Sequence, residues 1–146
     1  MSLEENKAIV RRFVESYNTG NLDLLDDIVA PDFVDHVHQL SPEGVKQVIN
    51  MALKAFHDYH ETIEDIIAEG DKVWVRIKAT GTHTGEFMGI APTGNRITMM
   101  FADMFRIVNG KIVEYWEVRD GLDYNKQLGI IEYTEQGKKL FPEDVK

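Results

Sequence analysis

The sequence predicts an α+β fold: three N-terminal helices packed on a strongly curved, mainly antiparallel sheet. Three observations carry that reading. Apolar residues recur at helical spacing as far as Phe56. From Tyr59 the period switches to two. Residues 95–120 then form two β-rich runs joined by Asn109-Gly110, the strongest short-range hairpin signal because a type I′ turn needs positive φ at both central positions.

The elements follow in order. Ser2 and Glu5 make a capping box before a first helix with Ile9, Val10, Phe13, Val14 and Tyr17 on its apolar face. Thr19-Gly20 ends it. Asn21 is placed to cap a short second helix with Leu22, Leu25, Ile28 and Val29 inward, and Pro31 to stop it. Residues 32–37 read as a short extended piece carrying His36, with His38 two residues on. Ser41-Pro42 opens a third helix, striped by Val45, Val48, Ile49, Ala52 and Phe56. Residues 62–69 form a strand, Gly70-Asp71 a turn, and residues 72–84 the next strand, with Val73, Val75, Ile77, Ala79, Gly81 and His83 on one face. Residues 85–94 form a loop holding Phe87, Met88 and Ile90, apolar enough to cover something or meet a partner. After the hairpin comes a short helix over residues 122–128, and a tail that is polar apart from Leu140 and Phe141.

A two-residue turn sets the hairpin register. Val108 faces Lys111, and the pairs step outward as Ile107/Ile112, Phe105/Glu114, Asp103/Trp116, Phe101/Val118 and Met99/Asp120, all on one face. That mostly apolar face therefore carries two aspartates, Asp103 and Asp120, which burial makes costly unless they are paired or used. They lie four residue steps apart, roughly 14 Å, too far to share a proton. The other face holds Met100, Ala102, Met104, Val113 and Tyr115, with Arg106, Glu117 and Arg119 among them as interface ion pairs. It is expected to pack against another copy, giving a homo-oligomer joined through the outer sheet face.

Composition narrows the function classes. The 146 residues form one domain, 1–146, long enough for a real core. A net charge of −9 without a basic cluster argues against nucleic acid and anionic membranes as partners. No run of apolar residues is long enough to span a bilayer, and the polar start MSLEENK has no signal-peptide pattern, so the expected address is cytoplasmic. Without cysteine there are no disulfides, thiolate metal sites or thiol nucleophiles. No dinucleotide, P-loop, zincin or serine-hydrolase motif occurs.

The helix–helix–FVDHVH–helix–strand order, the phrase GTHTGEFMGIAPTGNRI, and FRIVNGKIVEYWEVRDG followed by QLG resemble the SnoaL-like polyketide cyclases, also called predicted ester cyclases. These belong to the NTF2-like superfamily, whose fold is an α+β cone. The resemblance runs from about Lys7 to Gly129. It implies a pocket lined from the concave sheet face, no cofactor, and an aspartate at the end of the last long strand as general acid/base in an intramolecular aldol closure. Asp120 matches that aspartate, and Val118 stands where the characterised cyclases tend to carry a histidine.

The candidate catalytic residues are thus Asp120, His36 and Asp103. Trp116, His83, Phe101, Val118 and Met99 are candidates for substrate binding. Each has a structural alternative: Asp120 as a helix N-cap, Asp103 as a bonded structural carboxylate, His36 as a satisfied core histidine, Trp116 as plain core and His83 as an exposed strand end. No metal is expected, because only His36/His38 has ligand-like spacing. The partner is a small apolar molecule bearing a carbonyl or ester, and the reaction an aldol-type cyclisation or proton transfer. The alternatives are a non-catalytic binding protein, or isomerase or epoxide-hydrolase chemistry in the same pocket.

Overall fold

The computed structural model describes residues 2–140; Phe141 lies outside them. Helix α1 (Leu3–Thr19) begins where the Ser2 hydroxyl accepts the Glu5 N–H and ends at Gly20 with φ 70°. Helix α2 (Leu24–Ile28) is short, and its N-cap is Asp23 rather than Asn21. Pro31 does not stop this helix but lies inside strand β1 (Val29–Asp35). It is tolerated there because β1 is an edge strand and its register is interrupted between Val29 and Val34. Helix α3 (Pro42–Ala55) is capped by Ser41, with Pro42 at its start.

Strands β2 (His60–Glu69), β3 (Lys72–Thr82), β4 (Arg96–Val108) and β5 (Lys111–Arg119) form the expected antiparallel meander. The sheet order is β1-β5-β4-β3-β2. The extended piece before α3 is thus a fifth strand, parallel to β5. Helix α4 (Gly121–Leu128) follows β5, and a further short helix, α5 (Glu135–Leu140), lies in the tail. Alternate residues of β3 and β4 turn inward against α1 and form the core, with Val73, Ile77 and Phe105 fully buried. At Gly85 the chain passes so close to α3 that a Cβ would sit 2.1 Å from the Lys54 carbonyl oxygen.

The hairpin departs from the simple register. Asn109 and Gly110 both have positive φ, and Val108/Lys111 and Ile107/Ile112 pair as the turn dictates. A bulge then intervenes: Arg106 pairs with Glu114, leaving Val113 as the extra residue. Beyond it every β5 residue changes face. Phe105 faces Tyr115, Asp103 faces Glu117 and Phe101 faces Arg119. In the unbulged register Glu114 would lie opposite fully buried Phe105. With the bulge, Tyr115 fills that position and Glu114 turns outward to Arg106 and His36. Tyr115, Glu117 and Arg119 therefore leave the predicted outer face. That face retains Met100, and it gains Trp74, Ile67 and Val118 as exposed apolar residues.

Candidate active site

The inward turn of Tyr115, Glu117 and Arg119 builds the floor of a cavity of about 210 Å³ between the sheet and the helices. Its walls are apolar, with Phe56, Ile97, Met99 and Phe101 prominent, and Phe87 and Met88 of the 85–94 loop also line it. Asp103, Glu61, Tyr17 and Tyr59 complete the polar end.

The sequence positions each of these groups by a local device. Asn18, at the end of α1, donates through Nδ2 to the Glu61 carbonyl and accepts the Glu61 N–H, both at 2.8 Å. This clamp fixes the start of β2 and holds Glu61 at the cavity. The Glu61 Oε1 accepts the Tyr59 hydroxyl at 2.7 Å. Burial, reinforced by the charge of Glu117, pushes the Glu61 carboxyl up to about 7 against that hydrogen bond.

Tyr115 lies between two carboxyls, with its hydroxyl oxygen 2.9 Å from Asp103 Oδ1 and 2.8 Å from Glu117 Oε2. A hydroxyl has one proton to give, so one of these contacts is donated by a carboxyl. The surroundings decide which. Burial, with the charges of Glu117 and Glu61, raises the Asp103 carboxyl well above its ordinary range. Burial also opposes ionisation of Glu117, but Arg119 grips it from Nε at 2.5 Å and Nη2 at 2.8 Å and holds it below the usual range. Asp103 is therefore neutral and donates to Tyr115, which donates to ionised Glu117. Tyr17, on α1, lines the same cavity, and its hydroxyl has no hydrogen bond among the described residues.

A smaller hollow of about 50 Å³ adjoins this floor. Tyr17, Val48, Tyr115, Glu117 and Arg119 are shared between the two hollows; Asp35 and His38 belong to the smaller alone.

The sequence candidates divide between cavity and surface. Asp103, Met99 and Phe101 line the cavity as expected. Trp116 and Val118 do not, because the bulge turns them outward; Val118 is 67 % exposed. His36 lies outside as well, stacked on Trp116 at 4.7 Å and 8°, with Nε2 3.0 Å from Glu114. His38 meets a different carboxylate, Glu117, at 3.5 Å, so the two histidines do not act as a pair. His83 is fully buried behind Phe56 rather than exposed or in the cavity. Its Nδ1 accepts the Thr93 N–H, which leaves Nε2 as a buried donor without a partner among the described residues. Asp120 is exposed and caps α4, its Oδ1 accepting the Asp123 N–H at 3.0 Å, and it is not among the cavity-lining residues.

Sequence reasoning did not single out Glu61, Tyr115, Glu117, Arg119, Tyr17 or Tyr59 as site residues. One usable signal was present: Tyr115, Glu117 and Arg119 alternate on β5 with Trp116 and Val118, so one face of that strand end is polar whichever way it turns.

The model of the SnoaL-like polyketide cyclases matches residues 7–128, across all the elements that build the cavity. The chain belongs to the SnoaL-like polyketide cyclase family. Among relatives, the aklanonic acid methyl ester cyclase DauD of Streptomyces sp. (strain C5) is 32% identical over 142 residues, covering 92% of this chain and 88% of DauD. The cyclase of the same description from Streptomyces peucetius, DnrD, is 33% identical over 129 residues, 83% of this chain and 88% of DnrD. Among solved structures, AclR of Streptomyces galilaeus, proposed to be a hydroxylase, superposes with a TM-score of 0.80 at 34% identity, over 90% of this chain and 100% of AclR. TsrD of Streptomyces laurentii gives 0.82 at 26%, over 90% of this chain and 99% of TsrD. These likenesses support a cyclase-like function and the NTF2-like fold of this SnoaL-like chain. Among the described residues no helix is long and apolar enough to cross a membrane.

Proposed function

We propose that this family member is an acid/base cyclase acting on an apolar, ester-bearing carbonyl compound, with proton transfer at the cavity floor. One observation carries the reading. Two buried carboxyls, Glu61 and Asp103, line one largely apolar cavity, and the cation among its lining residues, Arg119, is already committed to Glu117. Glu61, poised near neutrality, is the base that removes a proton from the carbon beside a carbonyl. The free Tyr17 hydroxyl donates to the enolate oxygen as charge develops there. The carbanion carbon bonds to a second carbonyl carbon of the same molecule, and that carbonyl oxygen takes the proton of neutral Asp103. The step is redox-neutral and balances one proton lost from carbon against one gained by oxygen.

Asp120 holds the corresponding role in the family expectation, so the two assignments make opposite predictions. Turnover of aklanonic acid methyl ester, the compound in the names of the relatives, serves as the assay. Asp120→Asn keeps an equally good N-cap and is expected to stay within a few-fold of wild type. Glu61→Gln is expected to lose roughly 10²–10⁴-fold. A dead Asp120→Asn beside an active Glu61→Gln would return the proton transfer to Asp120.

A further inference from the structure

The smaller hollow has no part in the proposed reaction, yet it shares Tyr115, Glu117 and Arg119 of the same polar floor. His38 stands in it with its side chain 45 % exposed. Its Nε2 is 3.5 Å from Glu117 Oε1, and Glu117 is only 4 % exposed. Glu117 Oε2 is 2.8 Å from the Tyr115 hydroxyl, which is 2.9 Å from Asp103 Oδ1. The imidazole is aimed by the chain itself: Asp35, buried on β1, accepts the Val37 and His38 N–H groups at 2.8 and 2.9 Å and fixes the turn that carries it. The other titratable groups lining this hollow are Tyr17 from α1, Asp35 from β1, and Tyr115, Glu117 and Arg119 from β5. Solvent therefore connects to the cavity floor through four titratable side chains, by a route that begins at His38, outside the cavity lining.

We propose that His38 is a proton entry port, refilling Asp103 from bulk water through Glu117 and Tyr115 while substrate fills the cavity. Once Asp103 has given its proton to the substrate oxygen, the Tyr115 hydroxyl proton shifts to Asp103 Oδ1. Protonated His38 first gives its Nε2 proton to ionised Glu117, the neutral Glu117 carboxyl turns to pass that proton to the Tyr115 oxygen, and the imidazole is reprotonated from water. Glu61 releases its acquired proton through the cavity opening as product leaves. Protons and charge balance over the cycle. Protonated Glu117 is the uphill station, because Arg119 favours its ionised form, so the hop through it is brief.

The catalytic use of this route rests on the function proposed above, but the route itself is testable without substrate. In protein labelled with ¹³C at tyrosine Cζ, the hydrogen–deuterium isotope shift reports exchange of the Tyr115 hydroxyl with water, and Tyr115→Phe assigns the signal. His38→Asn alters an exposed side chain and leaves the Asp35 turn intact. Exchange is expected to slow at least ~10-fold in His38→Asn and to recover when free imidazole is added. Equal exchange in wild type and His38→Asn overturns the proposal, as does a slowing that imidazole does not restore. In turnover, kcat of His38→Asn is expected to fall with KM unchanged and to be rescued by imidazole. Should Glu61→Gln lose activity while His38→Asn keeps wild-type exchange and kcat, the port alone fails. Should Glu61→Gln stay active, the proposed reaction fails whatever the exchange rates show.

Discussion

Replacing Glu61 by Gln is expected to remove activity and to make the protein more stable above neutral pH. The sign follows from where the proton sits. Folding raises the Glu61 carboxyl from 4.5 to about 7, chiefly by burial. Between those two values the folded chain binds the proton and the unfolded chain has released it, so stability falls as pH rises through that window. The whole cost, about 3 kcal/mol, is present above the folded value and absent below the unfolded one. A neutral Gln side chain carries no such cost, and its amide oxygen can still accept the Tyr59 hydroxyl that Glu61 accepts in wild type. Chemical denaturation at pH 4 and pH 8 measures the effect. The variant should match wild type at the lower pH and exceed it by about 3 kcal/mol at the higher. A gap that does not change with pH would mean that Glu61 is not held protonated by the fold. An inactive but more stable variant is the signature of a residue kept for chemistry against its folding cost.

The second large effect concerns Arg119. Its guanidinium is bidentate on Glu117, and it also lies 5.6 Å from the Phe101 ring centroid. Replacing it with Met keeps the packing against Phe101 but leaves Glu117 as a buried charge without its bidentate guanidinium partner, with only His38 at 3.5 Å beside it. Breaking a buried pair in this way costs about 3–5 kcal/mol, and the partial exposure of Arg119 places the expectation at the lower end, about 3 kcal/mol. Arg119→Met should unfold at clearly lower denaturant than wild type at pH 7. Adding Glu117→Gln to it should recover most of the loss, because the stranded charge is then gone. A double variant as unstable as the two single effects added together would show that the pair is not the source.

Much of the architecture was legible in the sequence because local rules and burial agreed. The caps at Ser2 and Ser41, the Asn109-Gly110 turn and the inward stripe from Val73 to His83 are all as their chemistry dictates. The resemblance extended this to the family. The site was only half legible. Asp103, Met99 and Phe101 lie on β4, whose alternation is uninterrupted. Trp116 and Val118 were assigned to the wrong face because a single bulge at Val113 reverses every residue beyond it, and turn arithmetic does not contain bulges. The conflict was visible in principle, since the unbulged register set Glu114 opposite Phe105 in the core. Glu61 was missed for another reason. Its burial is imposed by Asn18, 43 residues away, and no local pattern announces a clamp between a helix end and a strand.

Whether the floor of the cone holds its protons at neutral pH is read most directly by titrating the two cavity carboxyls. Side-chain carboxyl ¹³C labels follow them, with assignment by Glu61→Gln and Asp103→Asn. Glu61 is expected to titrate near 7. Asp103 is expected to titrate well above the ordinary carboxylate range, held up by its burial and by the charges of Glu117 and Glu61. Both carboxyls titrating at the ordinary value of about 4 would leave the floor ionised at neutral pH and remove the basis for the proposed chemistry.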